Sequence, residues 1–130
     1  MAERVAVIIP CYNHARFVGE AIESALNQTR PADRVIVMDD GSKDKSLAVA
    51  RAYHDPKLEI HSQENRGAHA AINRLVEMAS ADCEWVAILN SDDRHLPGRL
   101  EVALEAARQQ PGKSVIATAL RVIDENGAVM

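Results

Sequence analysis

Short β-branched runs alternate along this chain with longer stretches of helical periodicity. The runs are "VAVII" (5–9), "RVIVM" (34–38), "LEIH" (58–61), "WVAIL" (85–89) and "SVIATAL" (114–120). Near-continuous apolar character over such short lengths is what a strand covered on both faces requires. Between the runs, Phe17, Val18, Ala21, Ile22, Ala25 and Leu26 recur at the spacing that gathers them on one helix face. Leu47, Ala50 and Tyr53 outline a shorter helix, Ile72, Leu75, Val76 and Ala79 another, and Leu100, Ala103, Leu104 and Ala107 the last. Asn13 is placed to cap the first helix, Ser42 or Asp44 to cap the second. Pro97 suits the opening turn of the fourth, and Pro111 with Gly112 ends it. The alternation predicts an α/β fold: one mostly parallel sheet with helices on both faces, spanning residues 1–130 as a single unit. The tail "LRVIDENGAVM" predicts a strand, a turn at Asn126 and Gly127, and a returning strand. That second arm breaks off so soon that the fold is expected to be truncated, part of something longer.

Composition narrows the functional classes. With 130 residues, 47% hydrophobic and 26% charged, the chain can bury a core and is not a disordered segment. A formal charge of −4 argues against a general nucleic-acid binder, and one Trp, two Tyr and one Phe leave no base-stacking platform. No apolar run is long enough to span a bilayer. Cys11 and Cys83 lack metal-ligand spacing and read as reduced thiols in a cytoplasmic setting, with Cys11 a small buried filler.

Candidate chemistry sits where the runs end. In an open parallel sheet, ligands collect outside the carboxyl ends of the strands. The first, second and fourth runs end in "PCYN", "DDGSKD" and "NSDD"; the third and fifth carry no comparable cluster. Each cluster alone also makes an ordinary turn. Together they suit a cation and a polyhydroxyl or phosphate ligand: two carboxylates ~4 Å apart repel by roughly 4 kcal/mol at an effective dielectric of about 20, so adjacent acids either point apart into water or have a positive partner. The chain has no GxGxxG after the first run, no GxxxxGK[ST] and no GxSxG, which removes the common dinucleotide, P-loop and nucleophile-elbow designs. His14, His54, His61, His69 and His95 have no HExxH spacing and read as surface or capping residues.

"VAVIIPCYNHARFVGEAIESALNQT", "RVIVMDDGSKDKS", "NRGAHAAINRLVEMA" and "WVAILNSDDRHLPGRL" resemble, in order and spacing, the inverting family 2 glycosyltransferases. The resemblance runs from Val5 to about Gly127 and implies a Rossmann-like GT-A fold with a nucleotide-diphosphate-sugar donor, usually a UDP-sugar. It implies that Pro10, Tyr12 and Asn13 belong to the donor site, with Tyr12 against the nucleobase, and that Asp40 accepts a hydrogen bond from the base. Asp39 organises the turn and lies within reach of the ribose. Asp92 becomes a ribose- or metal-facing acid, and Asp93 the acid that holds Mg²⁺ or Mn²⁺ against the diphosphate. Asn90 stands where many relatives have Asp, which moves weight onto Asp93. The catalytic base and the surface for a saccharide, lipid or other hydroxyl acceptor are expected past Met130, so residues 1–130 are expected to be weak catalysts alone. The resemblance leaves room for cytoplasmic membrane-face attachment in a longer protein, and the hairpin edge for a homodimer. The alternative class is a non-catalytic nucleotide-sugar-binding or regulatory module; a nucleotidyltransferase ranks below both, for want of a glycine-rich basic loop after the first run.

Overall fold

The computed structural model describes residues 3–112, 115–117 and 120–130. Four strands, β1 (Val5–Cys11), β2 (Arg34–Asp40), β3 (Leu58–Gln63) and β4 (Trp85–Ile88), form one parallel sheet in the order β3-β2-β1-β4. Four helices alternate with them: α1 (Val18–Leu26), α2 (Ser46–Arg51), α3 (Ala68–Ser80) and α4 (Arg99–Gln109). The α/β architecture expected from the alternation is therefore present. Every residue of β1 is buried. Its odd positions, Val5, Val7, Ile9 and Cys11, join Val35 and Val37 against α1, α2 and α4, through Val18, Ala21, Ile22, Ala50, Leu100 and Leu104. Ala6 and Ile8, with Ile36 and Met38, face α3 through Ala71, Leu75 and Ala79. Two faces each in apolar contact explain why these strands read as continuous rather than alternating runs.

Some expected details fall elsewhere. Asn13 does not cap α1, whose first turn begins at Val18 with no side-chain cap; the residue instead adopts a φ of 53° in the loop before it. Neither candidate is the cap residue of α2, which is Lys45 with no side-chain cap bond; Asp44, one residue earlier, accepts the Ser46 N–H at 2.9 Å. Pro97 stands in a turn just before α4 rather than within it. In the fifth apolar run, Ser114, Thr118 and Ala119 lie outside the described residues. Residues 115–117 and Leu120 belong to no strand, and Val115 and Leu120 are more than four-fifths exposed. A β-branched run has only a propensity; a strand also needs a ladder partner. The tail turn is as expected: Ile123 pairs antiparallel with Val129, and Gly127 supplies the positive φ of 86°.

The bottom of the sheet is held by ion pairs. Arg34 grips Glu59 through one guanidinium edge, Nε and Nη2 (2.7 and 2.8 Å), and donates through Nη1 to Asp82 (2.8 Å), which also accepts from Arg4 (3.0 Å). The Arg34 hydrogen bonds, working against partial burial, hold the Glu59 carboxyl below its ordinary 4.5. A depressed carboxyl contributes stability that is present above its unfolded value and is lost as pH falls through the folded one. Glu59→Gln should therefore lower stability by about 1 kcal/mol at neutral pH, with its urea midpoint converging on that of the unaltered chain as pH falls below the ordinary carboxyl value. A pH-independent gap would contradict the pairing.

Candidate functional site

The chain runs from β1 to β2 to β3 in one direction and then returns to β4 on the other side of β1. The strand order thus reverses between β1 and β4, and the polar ends of β2, β1 and β4 share one rim, the place where such sheets bind ligands. Cys11 is in register with Asp39, so Tyr12 and Asp40 leave the sheet beside one another. Pro10 is buried in the strand, whereas Tyr12 is 40% exposed and Asn13 is exposed.

The two acids after β2 have separate tasks. Both are buried, at 3% exposure. Asp39 Oδ2 accepts the Ser42 N–H (3.1 Å), and its Oδ1 has no partner among the described residues. Asp40 Oδ1 accepts from Gln63 Nε2 and the Arg66 N–H (2.9 Å each), and Oδ2 from the Gly67 N–H (3.0 Å). Its backbone carbonyl takes Asn65 Nδ2 at 3.0 Å. A carboxylate offers about four acceptor positions, so about one remains, on Oδ2. The third run carries no cluster like the other three, yet it reaches the rim: Gln63 ends β3 and the loop at 64–67 folds over Asp40. The signal was present in "ENRG", a turn-prone string directly before a helical pattern.

A second network ties the three loops together. The Asn13 N–H donates to Ser42 Oγ (2.9 Å), and its Oδ1 accepts the Lys43 N–H (2.8 Å). The His14 N–H donates to Ser46 Oγ (2.9 Å), the Ala15 N–H to Asp44 Oδ2 (3.1 Å), and Ser46 Oγ to Asp44 Oδ1 (2.5 Å). His14 Nδ1 shares a 2.6 Å hydrogen bond with the hydroxyl of buried Ser91, and its Nε2 lies 4.0 Å from Asp92 Oδ2. His14 is thus a rim residue rather than a plain surface one. Burial pushes the Cys11 thiol above its ordinary value, against hydrogen bonds with Ser91 and Ser46. Its role is the expected buried filler. His95 is also buried, at 5% exposure; burial, and then Arg99, lower it to about 4, so it is neutral at pH 7 and anchors the approach to α4 through its N–H on Ser24 Oγ (3.0 Å).

Asp92 and Asp93 are both exposed, so their mutual repulsion is relieved by water. Among the described residues no group donates to the Asp93 carboxylate, and no three His, Cys, Asp or Glu side chains gather as a preformed metal cage. Two free carboxylates suit Mg²⁺ or Mn²⁺ only where other oxygens complete the shell, which is the usual arrangement when a substrate supplies phosphates.

Gly41 makes the clamp possible. Its φ is +70°, and a Cβ there would lie 2.7 Å from the Asn65 backbone nitrogen. Gly41→Ala should cost about 1–3 kcal/mol of stability, read by urea unfolding, and should speed hydrogen exchange of the Arg66 and Gly67 amides. Unchanged exchange at those amides would show that the loop does not depend on this approach.

Comparison with known proteins agrees with the geometry. The family model described as Glycosyl transferase family 2 matches residues 6–129. An uncharacterized glycosyltransferase of Rickettsia typhi is 37% identical over 112 residues, covering 86% of this chain and 34% of the relative. Chondroitin synthase of Escherichia coli is 32% identical over 125 residues, 95% of this chain and 18% of that protein. Among solved structures, TarS of S. aureus in complex with UDP has a TM-score of 0.72 at 23% identity, covering 88% of this chain and 38% of that one. The mannosyltransferase PcManGT of Pyrobaculum calidifontis, in complex with GDP-Man and Mn²⁺, has a TM-score of 0.70 at 30% identity, covering 85% and 34%. The chain therefore spans about a third or less of the curated relatives named here. No helix among the described residues is long and apolar enough to cross a membrane. The match of that family model over residues 6–129, with which the parallel sheet and the polar rim agree, places the chain in glycosyltransferase family 2.

Proposed function

We propose that residues 1–130 are the donor-binding part of a glycosyltransferase that uses a nucleoside-diphosphate sugar, first of all a UDP-sugar, and transfers the sugar with inversion. The observation that carries this reading is the Asp40 carboxylate, held by Gln63 at the end of β3 and by two loop N–H groups, with one acceptor position left beside Tyr12. A uracil or guanine ring N–H can donate there; cytosine has none, so its nucleotides lose the bond. The GDP-Man bound to the Pyrobaculum relative is a diphosphate sugar whose base carries such an N–H.

In this reading Tyr12 lies along the base and Pro10 sets the wall behind it. Asn13 pins the β1 loop to the β2 loop, and Asp39 holds the turn from which Asp40 projects. Mg²⁺ or Mn²⁺ would sit on Asp93 and Asp92, with diphosphate oxygens and water completing the shell. Bound there, the ion offsets the negative charge on the departing diphosphate. The chain's own part is to fix the donor: it buries the base end, anchors the loops and presents two acids to the phosphate end. The acceptor, and the base that takes its proton, are assigned to none of the described residues.

Calorimetry with UDP, GDP and CDP, with and without Mn²⁺, tests the reading. CDP should bind about tenfold or more weakly than UDP, the worth of one hydrogen bond to a charged group. Asp93→Ala should remove the gain in UDP affinity that Mn²⁺ confers while leaving metal-free UDP binding within about twofold. Failure of UDP to bind, or indifference to both the base and Asp93, would sink the proposal.

A further inference from the structure

Directly after the two acids at the end of β4 comes an arginine, and its charge is turned away from them. Arg94 adjoins Asp93 in sequence, and its long stem gives the guanidinium ample reach to pair with a carboxylate one or two residues back. Instead its Nη2–H donates to the Gly127 carbonyl (3.1 Å), and Nη1 lies 3.6 Å from Glu20 Oε2. That seat is built by the tail turn. The Asp124 carboxylate accepts the N–H groups of Asn126 and Ala128 (2.9 Å each), and Gly127 closes the turn with a φ of +86°. Arg16, from the loop after β1, ties the turn down through Glu125 (3.3 Å) and Asn126 Oδ1 (3.2 Å). A Cβ at position 127 would lie 2.6 Å from Arg94 Nη2 and 3.3 Å from its Cζ. The guanidinium and a side chain at 127 cannot share that space, and the flexible partner is the arginine.

We propose that Arg94 is a positioning residue and that the turn over residues 124–128 is the device that positions it. By holding the guanidinium against Gly127 and Glu20, the turn keeps it off Asp92 and Asp93, whose carboxylates stay free for a divalent cation. The inference rests on the donor-site reading above. Its physical content is competition: a guanidinium on either acid would occupy acceptor positions and cancel the charge that draws the ion. Glu20 supplies the alternative counter-charge, and Gly127 supplies a carbonyl with no side chain in front of it.

A double-mutant cycle on the full chain tests this, reading Mn²⁺ affinity in the presence of UDP by electron paramagnetic resonance of the free ion. Gly127→Ala should weaken Mn²⁺ binding by about three- to fivefold, the worth of one exposed ion pair. Gly127→Asn, whose side chain tolerates the positive φ but still carries a Cβ, should do the same, which separates the clash from strain in the turn. Arg94→Ala alone should bind Mn²⁺ at least as tightly as the unaltered chain, and adding it to Gly127→Ala should restore the lost affinity. The proposal is overturned if Gly127→Ala leaves affinity unchanged, or if removing Arg94 fails to restore it. Absence of Mn²⁺ and UDP binding by the unaltered chain is a different result, since it removes the donor-site reading itself.

Discussion

A buried parallel strand has to deliver its polar residues at its end, and β1 imposes that constraint on the whole molecule. Seven consecutive residues of β1 are buried, with neighbours on both edges and helices on both faces, so no polar group can leave the strand before Tyr12. Its flanking strands run the same way; β2 stays level with it to the end, whereas β4 leaves the ladder at Ile88, opposite Ile8. The rim residues are therefore brought together by the ladder, and their own contacts refine a meeting that the sheet has already arranged.

Buried charge explains the division of labour at the rim. Asp40, taken out of water, needs donors, and two backbone N–H groups and Gln63 supply them. Satisfying the carboxylate orders the β3–α3 loop, so the same group that shapes the loop presents the remaining acceptor position. At the β4 end the opposite holds: Asp92 and Asp93 stay in water, where an unpaired charge costs little. One end of the rim is thus a clamped, buried carboxylate, and the other a pair of hydrated, exposed ones. The arginines beside it, Arg16 and Arg94, bond to the tail turn rather than to these acids.

Part of this was legible from residue order alone. Four of the five apolar runs are strands and all four periodic stretches are helices, because burial on two faces and on one stripe leaves distinct spacings in sequence. "PCYN", "DDGS" and "NSDD" could be read as strand-end clusters because turn chemistry is local. The tail turn was readable for the same reason: Asn126 and Gly127 carry their conformational preference with them.

What the sequence could not determine were quantities that depend on distance across the fold. Asn13 has the side chain of a helix cap, yet its carbonyl oxygen is taken by Lys43 from another loop, and no local rule ranks those two partners. Asp39 and Asp40 are chemically identical neighbours, and alternation of the strand sends one towards Ser42 and the other towards the loop at 64–67. The fifth run has strand composition, but its described residues have no ladder to join. The turning of Arg94 away from Asp93 was the least accessible of all, because it depends on a glycine 33 positions later being bare on the side that faces it. Local preference decides which elements form; through-space geometry decides which of their polar groups are left free.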